Sequence, residues 1–255
     1  MGRDKRQMQG QRPAERAEPS YKLQQQQMMD RLPNDIGFLP ETLVPPTGPS
    51  ALPIYGGGMS FPLLQLYKIR SKLLIRDFFH RFSFWVTSPY VRGFFGPRTI
   101  KLKTAQIMPT AIAMHRQMYT AFAAGDKNIL RKLCGDGLYN SFVARIESRP
   151  KAERWEWSVV RYEATKKVSN RIARLPSEGT GVHQAVVRIV SVQRLRKWDK
   201  AGKEIKGGEE RKVSEYVVVQ RSFWKWVESE WTVWGTVGES DWVEVRDEWK
   251  KAIRS

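Results

Sequence analysis

The sequence predicts an α+β fold in which a layer of helices packs on a strongly curved antiparallel sheet. Three observations carry that expectation. Apolar residues recur at steps of three and four from Met108 to Ile146. Four later segments are dense in Val, Ile, Trp, Tyr and Phe, and polar stretches join the last three of them as hairpin connections. Helices first and long antiparallel strands afterwards suggest a cone-like domain, with the sheet wrapping the long first helix.

Taken in order, residues 1–60 are rich in Gln, Pro and Gly, with a Gln run at 24–27, the pair Pro45-Pro46 and the triplet Gly56-Gly57-Gly58. They show no sustained period and read as a tail that orders, if at all, on a partner. Its apolar island at 36–44 is either a docked extended peptide or a solvated linker. Residues 61–102 interleave basic and aromatic side chains. Helical spacing puts Leu66, Ile69, Leu73 and Phe78 on one side and Lys68, Arg70, Lys72 and Arg76 largely elsewhere, until Pro89 and Pro97 break the helix. This arm either buries its apolar side on the protein's own domain or lies against a membrane surface or RNA.

Residues 103–238 read as the compact α+β domain. Met108, Ile112, His115, Tyr119 and Phe122 mark one side of a helix, with His115 at its margin. Gly125 is a stop, Asp126 an N-cap for a short helix carrying Leu130, Leu133 and Cys134, and Asp136 a second N-cap before Leu138, Phe142, Val143 and Ile146. Strands are expected at 155–164, 181–198, 212–227 and 231–237, and a helical tail at 239–255.

The 255 residues carry 44 Lys and Arg against 26 Asp and Glu, a formal net charge of +18 and a pI near 10.1, so the expected partner is a polyanion, nucleic acid or anionic lipid. The one cysteine, Cys134, makes no internal disulfide, and three histidines without Cys neighbours do not suggest a structural zinc site. No run of 18 apolar residues is present, because charges such as Arg76, Asp77 and Arg81 interrupt the most hydrophobic stretch. The basic N-terminus lacks the apolar block of a secretory signal and reads poorly as a transit peptide. A mitochondrial protein starting here is expected to have had its presequence removed or its start placed late.

The stretch from Tyr119 through Phe122, Gly125, Asp126, Leu130 and Leu133 to Leu138 and Tyr139 resembles the opening of the domain shared by the matrix-side anchor of the mitochondrial import motor and its relatives. Within that family it is most like the branch of a large-subunit mitochondrial ribosomal protein and its inner-membrane ribosome-receptor counterpart. The resemblance covers roughly 103–238 and implies a fold like that of nuclear transport factor two, with a hydrophobic pocket between sheet and helices. It implies binding to large-subunit rRNA and ribosomal proteins near the peptide exit, in the matrix, and a link to the inner-membrane surface or insertion machinery. The import-motor anchor has a long charged helical N-terminal region, whereas this chain has a Pro- and Gly-rich tail and a basic aromatic arm. That departure favours the ribosomal branch over an import-motor role.

Candidate contacts to RNA or membrane are Lys68, Arg70, Lys72, Arg76 and Arg81; Arg92, Arg98, Lys101 and Lys103; Lys166, Lys167, Arg171 and Arg174; Arg194, Arg196 and Lys197; and Arg3, Lys5 and Arg6 in the tail. A single charge run is more often a solvated face, so their sum carries the argument. The chain has no P-loop, no Gly-x-Ser-x-Gly and no His and Glu at metal spacing, so neither an enzyme, a cofactor nor a small-molecule substrate is expected. A pocket enzyme of the cone-shaped superfamily would need a polar dyad in its cavity. His115 is read as a satisfied core histidine, Cys134 as a small buried hydrophobe and most of the ten tryptophans as core, with Trp242 and Trp249 freer to meet a partner.

Overall fold

From Arg154 onward the chain alternates β-rich runs with polar turns and forms a curled antiparallel sheet of six strands among the described residues. The computed structural model describes residues 36–47, 61–91, 93, 96–101, 103–150, 153–206 and 208–241, all within the unit Pro33–Ser255. Arg3, Lys5, Arg6, Arg92, Trp242, Trp249 and the remainder of the expected helical tail lie outside the described residues. The strands are β1 (Arg154–Arg174), β2 (Gly181–Trp198), β3 (Glu204–Lys206), β4 (Glu210–Trp224), β5 (Val227–Glu228) and β6 (Thr232–Val237). β2 lies between β1 and β4, β3 pairs with β2, and β5 and β6 both pair with β4.

Three register shifts along β1 and β2 and one between β4 and β6 give the sheet its curl, because each bulge bends its strand and raises the local twist. β1 runs on to Arg174, past the expected end at 164. Its basic second half is held by β2 on one side, Lys166 to Arg174 pairing with Arg188 to Gly181 across a register shift between Lys167 and Ser169. The polar stretch between β2 and β4 contains β3, which pairs through Lys206 and Glu204 with Lys197 and Trp198.

Four helices precede the sheet: α1 (Phe61–Thr87), α2 (Ile107–Ala124), α3 (Lys127–Leu133) and α4 (Asp136–Glu147). Gly125 closes α2 at φ +76°, while the Asp126 N–H returns to the Ala121 carbonyl, so the αL residue satisfies end carbonyls. Asp126 Oδ1 then accepts from the N–H groups of Asn128 and Ile129 and starts α3. Asp136 does not cap α4 as expected. Gly135 is the cap, and Asp136 sits one residue later, in the first turn, paired with Arg131 at 2.7 Å.

One sheet face buries Ala185, Val187, Ile189, Val217, Val219 and Val233 beneath Ile107, Ala111, Met114, Met118, Leu130 and Phe142 of the helices. The inward stripe of α2 is therefore Ile107, Ala111, Met114, His115, Met118 and Ala121. Met108, expected inside, is exposed, and His115 lies at the centre of the stripe rather than its margin. Polar partners on the sheet allow that placement, as described below. The opposite face, with Val186, Tyr216 and Val218, is covered by Phe38 and Val44.

The island at 36–44 is thus a docked extended peptide. Gln184 clasps it by accepting from Leu39 N–H at 2.9 Å and donating to the Gly37 carbonyl at 2.6 Å, and Val44 exchanges two bonds with Ser240. The fold also reaches upstream of residue 103, because Phe84 and Ile100 are buried against Ile172 and Phe223.

Candidate functional site

Helix α1 straddles the outer edge of β1. Arg171 and Ile172 are neighbours on that strand, so their side chains leave opposite faces of the sheet, and α1 meets both. Asp77 pairs with Arg171 Nε at 3.2 Å, whereas Phe84 packs with Ile172 and with Phe223, ring centroids 5.0 Å apart. Arg81 donates to the main-chain carbonyl of Asn170, and Arg171 to the carbonyl of Pro40 and the hydroxyl of Thr42 at 2.8 Å. Covering an exposed edge in this way prevents it from pairing with other strands.

The inward face of α1 is Leu66, Ile69, Asp77 and Phe84. Phe78, expected on that side, faces out with Leu74, Ile75, Phe79, Phe82 and Val86, all 39–60 % exposed. Phe78 shares the expected side with Leu73, but five residues carry the helix about 140° round, whereas Asp77, four residues on, stays within about 40° of Leu73 and takes the inward position. The C-terminal half of α1 is therefore apolar on its outward side, while its inward side mixes Phe84 with the charged Asp77 and Arg81. Its outward N-terminal turns are polar, with Lys68, Ser71 and Lys72 exposed. The single carboxylate between residues 61 and 103 is Asp77, and it is buried.

A polar cluster lies within the sheet beside α1. His183 Nε2 is 2.5 Å from Asn170 Oδ1, Arg221 Nε is 3.3 Å from His183 Nδ1, and Arg221 Nη1 is 2.5 Å from Glu228. Burial first, then the charges of Arg221, Arg81 and Lys167, hold His183 well below its ordinary value. The ring is neutral.

A second cluster lies under α2. Glu215 accepts from Tyr119 Oη at 2.5 Å, from Gln193 at 2.9 Å and from His115 Nε2 at 2.9 Å. Burial raises the Glu215 carboxyl, but the three bonds together outweigh it and hold the group below the usual range. His115 is 0 % exposed, its other nitrogen 3.4 Å from Tyr162 Oη. A ring so enclosed presents no free nitrogen to a substrate. Beside it, Tyr119, Phe122, Phe142, Leu138, Arg145 and Trp234 line an open cleft of about 350 Å³ between α2, α4 and β6.

The candidate cations divide by what they touch. Arg76 pairs with Glu41, Arg171 with Asp77, and Arg174 donates to the hydroxyls of Ser83 and Thr87, so these fasten α1 to its surroundings. Arg98 donates to the Val86 and Ser88 carbonyls and stacks on Tyr90 at 4.5 Å, which locks the loop after α1. Arg70 and Lys167 are half-buried; Lys68, Lys101, Lys103 and Lys166 are exposed. At the far end of the β1–β2 hairpin, Arg194 pairs with Glu210, Arg196 approaches Glu204 at 4.0 Å, and Lys197 lies 3.7 Å over Trp155. Arg149 sits 4.1 Å from the same indole and 4.2 Å from Phe122. Trp155 is thus engaged by the protein's own cations.

Of the motif residues, Leu130 is buried, and Tyr119, Phe122, Leu133, Leu138 and Tyr139 pack around the same core. Glu215 and the outward face of α1 were not found in the sequence. Glu215 meets His115 from 100 residues away, which no spacing reveals. The outward face had a signal, apolar residues at 73–75 and 78–79 that are too many for one side of a helix. Among the described residues no helix is long and apolar enough to cross a membrane, and no three His, Cys, Asp or Glu side chains converge on a metal position.

The family model described as MBA1-like protein matches residues 61–251. No curated protein sequence matches the chain. Among solved structures, the crystal structure of the intermembrane space region of the chloroplast protein ARC6 is similar at 10 % identity and a TM-score of 0.35, over 57 % of this chain and 100 % of that one.

Proposed function

We propose, from the premise that this chain belongs to the MBA1-like protein family, that it serves mitochondrial translation as a binding protein that joins the large ribosomal subunit to the inner membrane. The observation that carries the reading is the family match across 61–251, which takes in both α1 and the whole sheet domain. The net charge of +18 supports it, since a protein seated among rRNA phosphates gains affinity by releasing counterions. In this reading the protein stands on the matrix side near the peptide exit, touching rRNA and ribosomal proteins through exposed cations such as Lys166 on β1. The curled sheet with helices on one face is read as the cone-like domain of the nuclear transport factor two type. The role is binding and not catalysis, because the His115 and Glu215 pair that a pocket enzyme would use is spent on internal bonds.

The test is sedimentation of the endogenous protein from detergent-solubilised mitochondria through sucrose gradients across a salt series. Comigration with the large subunit that weakens as salt rises is expected, because phosphate contacts are salt-dependent. Absence from the large subunit at every salt concentration, including the lowest, overturns the reading.

A further inference from the structure

We infer that the outward C-terminal half of α1 lies in the plane of an anionic bilayer surface, with its phenylalanines among the acyl chains and Lys68 and Lys72 at the level of the lipid phosphates. The inference rests on the proposed function only for the identity of the membrane.

Four observations on α1 support it. Leu74, Ile75, Phe78, Phe79, Phe82 and Val86 form one continuous exposed apolar face, and Phe78 and Phe82 stack with centroids 6.0 Å apart. Soluble monomers rarely leave so contiguous a patch uncovered. The helix cannot reposition to bury it, because its other face is already fixed by Phe84, Asp77 with Arg171, and Arg81 with the Asn170 carbonyl. From Leu73 to Thr87 the helix is about 22 Å long at 1.5 Å per residue, enough to lie in an interface and too short for a core of about 30 Å.

Charge selects the occupant. The outward face and the following loop expose Lys68, Lys72, Lys101 and Lys103, while the one carboxylate of the region is enclosed by Arg171 and Arg76. An anionic interface supplies both requirements, acyl chains for the phenylalanines and phosphates for the cations. RNA has no place for Leu74, Ile75 and Val86. The polarity along α1, cationic at the start and aromatic towards the end, further sets a tilt with the Phe78 to Val86 end deeper.

The test is flotation of the full chain with phosphatidylcholine vesicles, with and without phosphatidylglycerol, after nuclease treatment. Binding to the anionic vesicles is expected, and Phe79→Ser with Phe82→Ser is expected to lower partitioning by at least about tenfold, both side chains leaving an apolar phase. Both residues are exposed, so an unchanged melting temperature is expected and separates lost binding from lost folding. Cys134 is buried, so an environment-sensitive maleimide attaches selectively to Phe79→Cys or Lys68→Cys. The expected result is a blue shift on anionic vesicles at position 79 and little change at position 68. Equal flotation of the double Ser variant, or an unshifted probe at position 79, overturns the inference. So does lipid-independent self-association that the Ser variant abolishes, which would make a second copy the occupant, or binding that tRNA fully competes away. Failure in the ribosome gradients leaves these readouts untouched, so the two readings fail separately.

Discussion

At His183 the hydrogen bonds decide the tautomer. Arg221 Nε can only donate, so Nδ1 accepts and the proton sits on Nε2, which donates to Asn170 Oδ1. The ring is held neutral, and its folded pKa lies well below 6.5. Below about pH 6.5 the unfolded chain takes up a proton that the native ring refuses, so stability is full above that pH and falls as pH drops. Replacing His183 with Gln keeps a donor and an acceptor but removes the titration. His183→Gln is therefore expected to abolish about 1 kcal/mol of the stability that the parent loses between pH 6.5 and 5.5, read by urea denaturation at both pH values. Identical pH slopes for parent and variant would refute the assignment. Glu215 does not interfere in this window: its folded pKa is depressed, so its contribution is present above about pH 4.5 and is lost only as pH falls through the lower folded value.

Among the elements, the peptide at 36–47 is legible only in part. Its apolar residues are visible in the sequence, but its docking depends on Gln184 and Ser240, more than 140 and 190 residues away. Val44 is 1 % exposed between Val186, Tyr216 and Val218. Val44→Asp buries a carboxylate without a partner and is expected to cost on the order of 3 kcal/mol in urea denaturation. Glu41→Gln, in the same segment, removes one exposed ion pair to Arg76 and is expected to change stability by less than about 0.5 kcal/mol. Similar losses for both would mean that the segment is not seated as described. For α1, the helix and its breakers at Pro89 and Pro97 follow from local pattern, but which side is buried does not. That choice falls to Asp77, Phe84 and their partners on β1.

Across the whole molecule, Cys134 joins the two layers. It caps α3, forms a β-bridge with Val233 of β6, and is followed by Gly135 N–H donating to the Val233 carbonyl at 2.8 Å. Burial pushes its thiol up to about 12 and removes the reactive thiolate. Maleimide labelling of the native protein is expected to be slow and to accelerate with urea in parallel with loss of circular dichroism; rapid labelling without denaturant would show that the helical layer opens locally. The sequence alone determined the α+β class, the caps at Gly125 and Asp126, the positions of β2 and β6, the core Leu130 and Phe142, and the excess of positive charge. Each of these depends on periodicity, backbone preference or composition, all of which act over a few residues or none. Only the tertiary structure decided that His115 meets Glu215, that Arg171 and Arg174 fasten a helix, and that Phe78, Phe79 and Phe82 of α1 face outward while Phe84 faces in. Those outcomes depend on which side chains the curled sheet brings within a few ångströms of one another across up to 200 residues of chain, and no local pattern encodes that distance.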